Sequence, residues 1–146
     1  MLKLYTLKGT IKLIKFSILL KQLIFCMSNK EKTKVIIDYL KGVSIEEAGY
    51  TIAALTNNLK FKNIKANRVK QIIKSKVDSK LFDLSYDYVG DLADTISLIW
   101  NRNPKTSNKK TSLLEIINTL NSKDLDLEKF IKKFLDNNNI DERWAF

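Results

Sequence analysis

Leu81-Phe82-Asp83-Leu84-Ser85-Tyr86-Asp87-Tyr88-Val89-Gly90-Asp91-Leu92-Ala93-Asp94-Thr95-Ile96-Ser97-Leu98-Ile99-Trp100 is the stretch whose reading decides the fold. Its pivot is Gly90-Asp91, since a bare backbone or a carboxylate oxygen suits the unpaired N–H groups at a helix start. Beyond the pivot, Leu92, Ile96 and Ile99 recur at helical spacing, with Ala93 and Trp100 beside them, which gives one apolar face. Before it, Phe82, Tyr86 and Tyr88 supply large packing groups. The stretch reads as two core helices meeting at a glycine corner. Asp83, Asp87, Asp91 and Asp94 form the densest acidic cluster in a basic chain. Because they straddle that corner, helix capping and pairing with nearby lysines account for them better than a Mg²⁺ site.

The same pattern extends outward on both sides. Phe16, Leu19, Leu20, Leu23 and Ile24 make a helical stripe, and Ser28 with Glu31 is a capping box that opens the next helix. That helix should bury Val35, Ile36, Tyr39 and Leu40 and stop at Gly42. Ser44 with Glu47 repeats the signal before Ile45, Ala48, Ile52, Ala53 and Leu55. A helix from about Ala66 buries Val69, Ile72, Ile73 and Val77. On the far side, Ser112 with Glu115 starts a helix with Leu113, Ile116, Ile117 and Leu120 inward. Asp126 caps another, facing inward through Leu127, Phe130, Ile131 and Phe134, and Asn139 with Glu142 opens a last turn. No strand alternation persists, and Gly 4 with Pro 1 leaves little of the turn chemistry sheets need. The expected fold is all-α, an irregular bundle of about eight short helices. Residues 1–15 read as an N-terminal extension and 16–146 as one domain.

A hydrophobic content of 45% argues against disorder, and the net charge of +10 makes a polyanion the default partner. The single cysteine, Cys26, cannot form an intrachain disulfide and reads as a small core residue. Residues 1–27 are rich in Leu and Ile, but Lys3, Lys8, Lys12, Lys15 and Lys21 interrupt them. A spanning helix needs about 20 apolar residues, and the order of a signal peptide is missing. No membrane partner is therefore expected. A basic amphipathic helix lying on a membrane surface is the weaker reading of this segment.

Basic charge is concentrated in two places. Lys60, Lys62, Lys65, Arg68, Lys70 and Lys74 lie in or beside the helix from Ala66, with Lys70 and Lys74 on an outward face at i, i+4. The connector lysines precede the electropositive start of that helix, where an anion is favoured. Arg102, Lys105, Lys109 and Lys110 fall in a polar loop with Asn101, Asn103, Thr106, Ser107 and Asn108. Flexible cations beside small hydrogen-bonding groups suit phosphate oxygens contacted without regard to sequence. Taken singly, each patch is more often a solvated surface.

Catalytic groups are scarce. The absence of His removes Ser/Cys–His nucleophile pairs and the common zinc sites, and no Gly-rich phosphate loop is present. Lys76-Val77-Asp78-Ser79 resembles the K-x-D-G signature of nucleotidyltransferases, but serine replaces the glycine and no sheet follows. No catalytic residue and no metal ligand is assigned.

With these residues in place, Leu81-Phe82-Asp83-Leu84-Ser85-Tyr86-Asp87-Tyr88-Val89-Gly90-Asp91-Leu92-Ala93-Asp94-Thr95 closely resembles the N-terminal domain of ATP-dependent DNA ligases, in particular the bacterial branch. Gly49-Tyr50-Thr51-Ile52-Ala53-Ala54-Leu55-Thr56, Val77-Asp78-Ser79-Lys80-Leu81-Phe82, residues 16–40, Ser112-Leu113-Leu114-Glu115 and Asp141-Glu142-Arg143-Trp144-Ala145 are similar to further blocks in the same order. The resemblance covers about residues 16–146 and implies an all-helical module that grips nicked duplex DNA across the minor groove. In the family, adenylation and OB-fold domains follow and complete the encirclement. The whole enzyme uses ATP and Mg²⁺ to seal nicks in replication, repair and recombination. This chain departs from the family by ending before the adenylation domain. The nucleophilic lysine is then absent, no cofactor is expected in this chain, and it should be inactive alone. A cytoplasmic, nucleoid-associated location follows from the resemblance. The alternative is a helical protein-interaction scaffold with no enzymatic role.

Overall fold

The computed structural model describes residues 13–62, 64–101 and 111–146. Among these residues there are nine helices and no strand, so the chain is all-α as expected. In chain order they are α1 (Leu13–Phe25), α2 (Asn29–Lys41), α3 (Ile45–Leu55), α4 (Ala66–Lys74), α5 (Ser79–Val89), α6 (Leu92–Ile99), α7 (Leu113–Leu120), α8 (Leu127–Asn137) and α9 (Ile140–Ala145).

The capping residues act where the sequence places them. Ser28 Oγ accepts from the Glu31 N–H at 3.2 Å, and the Glu31 carboxylate accepts in return from the Ser28 N–H at 3.3 Å. Ser112 with Glu115 and Asn139 with Glu142 form the same reciprocal pairs. Asp126 accepts from the Lys129 N–H, and Asp78 from the Leu81 N–H. Each such cap contributes about 1 kcal/mol. At the corner, Gly90 adopts φ +75° and its N–H bonds the Tyr86 carbonyl at 2.8 Å, closing α5. Asp91 then opens α6 by accepting from the Asp94 N–H at 2.9 Å. One residue ends a helix and the next begins another.

The chain divides into two compact units. The first comprises described residues up to Lys60 together with Thr111–Thr119, and so holds α1, α2, α3 and nearly all of α7. Leu13, Phe16, Leu19, Val43, Leu113, Ile116 and Ile117 are buried in it. The Leu13 N–H donates to the Thr111 carbonyl at 2.9 Å, tying the start of α1 to the residues just before α7. Leu13, Ile14 and Lys15 are helical and continuous with the stripe from Phe16.

Helix phase in this unit departs from expectation in two places. On α3, Ile45 is 75% exposed and Ile52 is also exposed, whereas Glu47 (1%) and Thr51 (0%) are buried. The buried face is polar, and on it the Tyr39 phenol of α2 lies 3.5 Å from the Glu47 carboxylate. Only the first half of the Ser44–Glu47 box forms, with Ser44 Oγ accepting from the Glu47 N–H. At the end of α1, Ile24 is exposed instead of buried, and Cys26 is half-buried beside a groove rather than in the core. The expected inward face of α2, Val35, Ile36, Tyr39 and Leu40, is on the correct side but only half-buried.

The second unit runs from Phe61 to the segment before Thr111 and from Leu120 to Phe146, and holds α4, α5, α6, α8 and α9. Ile72, Ile73, Phe82, Ile96, Trp100, Ile131 and Leu135 form its core, with Val69, Val77, Leu92, Ile99 and Phe134 packed around them. The Trp100 indole N–H donates to Asp136 Oδ1 at 2.9 Å inside this core. Arg143 of α9 is buried and donates to the Leu135 carbonyl at 2.7 Å and the Trp100 carbonyl at 2.9 Å. Those carbonyls stand at the C-terminal ends of α8 and α6, which carry partial negative charge and lack intrahelical donors. A short helix thereby caps two longer ones.

Candidate nucleic-acid interface

The expected site residues sort into three groups. Lys62, Lys65 and Arg68 are exposed and gather at the start of α4 in the second unit, while Lys60 is exposed at the end of the first. Lys70 and Lys74 lie further along α4 and are half-buried. Arg102, Lys105, Lys109 and Lys110 lie outside the described residues.

The start of α4 differs from those of the other helices. Its N-cap is Lys65, among the described residues no side chain caps its first N–H groups, and no acidic residue occupies its first turn. By contrast α2, α3, α5, α6, α8 and α9 each begin with a side-chain oxygen that accepts a backbone N–H. The positive end of a helix dipole is therefore flanked here by further positive charge, an arrangement unfavourable to the helix and favourable to an anion. The residue pattern explains why no cap forms: Phe61-Lys62-Asn63-Ile64-Lys65 brings no Ser, Thr, Asp or Asn to the capping position.

Lys70 and Lys74 do not project freely outward as the spacing implied. The Lys74 ammonium contacts both Asp83 oxygens, at 2.9 and 2.7 Å. Lys70 Nζ lies 3.9 Å from the centroid of the Tyr86 ring. Asp83 and Tyr86 sit three residues apart on α5, so they present one edge to the i, i+4 pair on α4. Phe82, stacked on Tyr86 with ring centroids 6.1 Å apart, fixes that edge against the core. Lys76 is likewise held, 2.6 Å from Glu128 of α8. The expectation that the acidic cluster pairs with nearby lysines holds for Asp83 and Lys74, whereas the Tyr86 ring beneath Lys70 and the Glu128 partner of Lys76 were not foreseen. Matched i, i+3 and i, i+4 spacings on consecutive helices were the signal.

The acidic cluster is accounted for in part. Asp91 caps α6 and Asp83 pairs with Lys74, while Asp87 is exposed. Among the described residues no group of carboxylates is arranged to hold a metal ion, and no helix is long and apolar enough to cross a membrane. The segment Lys76-Val77-Asp78-Ser79 is the turn into α5, with Asp78 serving as its N-cap. Of the expected site residues that are described on α4 and just before it, Lys62, Lys65 and Arg68 are the ones left exposed at its uncapped start. Compared with known protein families, curated proteins and solved structures, the chain matches none.

Proposed function

We propose that this chain is the DNA-binding portion of an ATP-dependent DNA ligase, gripping nicked duplex DNA through its backbone phosphates for nick sealing in replication, repair and recombination. The observation that carries the reading is the start of α4, where three exposed cations surround N–H groups that, among the described residues, no side chain caps. A phosphate oxygen supplies the acceptor that is missing there, and Lys62, Lys65 and Arg68 supply charge without reading bases. The ordered sequence blocks add support, as does the net charge of +10. The role is that of a grip. ATP and Mg²⁺ belong to the adenylation and OB-fold partners of the family enzyme, and the expected setting is the cytoplasm at the nucleoid.

The test is a fluorescence-anisotropy titration of nicked duplex of two unrelated sequences at several salt concentrations. Both should bind equally, and Lys62→Glu, Lys65→Glu and Arg68→Glu together should lower affinity and flatten the salt slope by about 3. Affinity indifferent to salt would overturn the proposal.

One observation favours the second reading, a protein-interaction scaffold. Leu81, Leu84 and Tyr88 (93% exposed) line up at i, i+3, i+7 on the outer face of α5. Under that reading DNA titrations are flat, and Leu84→Glu with Tyr88→Glu abolishes capture of a partner chain.

A further inference from the structure

The first unit contains a groove between α1 and α2 of about 560 Å³. That volume falls within the range of small-molecule sites. Ile18, Phe25, Cys26 and Val35 form its apolar walls, and Gln22 and Lys34 add polar groups. Phe25 is 80% exposed, so its ring offers an open face at the rim instead of filling the core.

The charged residues lining the groove are Lys21, Lys34, Glu31 and Asp38, and Lys30 lies one turn before Lys34 on α2. Lys30, Lys32 and Lys34 fall in the first two turns of α2, where the helix dipole disfavours cations. Lys30 and Lys34 are also i, i+4 neighbours of like charge. Among the described residues none of the three makes an ion pair. The two carboxylates lining the groove are directed to other groups. Glu31 accepts from the Met27 and Ser28 N–H groups at 2.9 and 3.3 Å, and Asp38 lies 3.4 Å from Lys41 Nζ.

We propose that this groove binds an unpaired nucleobase, stacked on Phe25, with Lys34 on its wall and Lys30, one turn earlier on the same helix face, holding the flanking phosphates. The inference rests on the DNA-binding reading above and adds a second, chemically different contact. An exposed aromatic ring beside unpaired cations is the arrangement that holds single-stranded nucleic acid, because every base has a stackable face. Gln22 and Lys34 stand in the groove as hydrogen-bonding groups for a base edge. Those polar groups fit a base better than a lipid chain, which would leave them without partners. A base inside an intact duplex cannot reach the groove, so the ligand is a frayed or single-stranded nucleotide.

Cys26, the only cysteine of the chain, lines the groove and reports on it directly. The full chain is treated with a maleimide alone, or with saturating single-stranded oligothymidylate, blunt duplex, or anionic phosphatidylglycerol vesicles, with occupancy measured separately by anisotropy or sedimentation. The oligothymidylate should slow Cys26 modification about tenfold or more, while blunt duplex leaves the rate within about twofold. Phe25→Ala should weaken oligothymidylate binding about tenfold with no change in salt slope, and Lys30→Ala with Lys34→Ala should lower the slope by about 1–2. An unchanged labelling rate at saturation overturns the proposal, as does equal protection by duplex or protection by vesicles alone. Failure of the duplex reading appears separately, as absence of salt-dependent duplex binding in the anisotropy arm.

Discussion

Arg143 directs its guanidinium onto backbone carbonyls of α6 and α8, so its replacement exposes a cost in two helices other than its own. Arg143→Met keeps much of the apolar stem and removes the donors. It is expected to cost about 3 kcal/mol, read as a lowered urea midpoint. Tyr39 makes a second prediction at this scale. Burial, with the neighbouring Glu47 charge adding to it, pushes the Tyr39 phenol up to about 12, while Thr51 acts in the opposite direction. Thr51 Oγ1 is itself enclosed without a well-formed hydrogen bond. A raised phenol favours the folded state fully below pH 10, and that contribution is lost as pH climbs from 10 toward 12. The phenol is only partly buried, so the loss is about 1 kcal/mol after allowance for solvent screening. Tyr39→Phe should lack this step when its stability is compared with the parent between pH 9 and 12. None of the Tyr39–Glu47–Thr51 arrangement was legible in the sequence. Apolar periodicity counts isoleucines and does not register a carboxylate turned inward beside a phenol on another helix.

Helix limits, in contrast, were largely legible, because a cap is a local interaction among four residues. Ser28 with Glu31, Ser112 with Glu115, Asn139 with Glu142 and the Gly90-Asp91 corner all act as their spacing implied. Gly90→Ala forces a Cβ into the left-handed region, and a loss of about 1–2 kcal/mol is expected in thermal or urea unfolding. Space is not the reason, since nothing lies within 4 Å of the added carbon. The start of α4 gives the opposite case. Lys65→Asp supplies the missing cap and an acid at the dipole's positive end, which should raise stability by about 1 kcal/mol. The same change should weaken duplex binding and reduce the salt slope by about 1, one phosphate contact being lost. A variant that is more stable and binds DNA equally well would remove α4 from the proposed interface. Spacing located that helix and its cations correctly. It could not show which lysine Asp83 engages, or that Lys70 lies over Tyr86, because those partners belong to a neighbouring helix.

For the molecule as a whole, the charge excess sets the expected binding behaviour. If about five phosphates are neutralised, log K for nicked duplex should fall against log salt with a slope of about −4 to −5, measured between 50 and 200 mM. The all-α class was legible from the lack of alternation and the few glycines and prolines. The division into two units was not, since the basic connector before α4 and the polar loop ending at Lys110 read as links within one domain, and the first unit takes up residues from both sides of 61–110. That interleaving has a consequence during synthesis. α1, α2 and α3 are translated first, yet the residues that complete their unit, Thr111–Thr119, follow only after residues 61–110 have been made. At about 5–20 residues per second the growing polypeptide waits about 3–10 s before Thr111, whose carbonyl accepts from the Leu13 N–H, and the rest of that segment can join the first unit. Protease resistance of the first unit on a stalled ribosome should therefore appear only once Thr119 has emerged, which makes the later segment the timer for the earlier one.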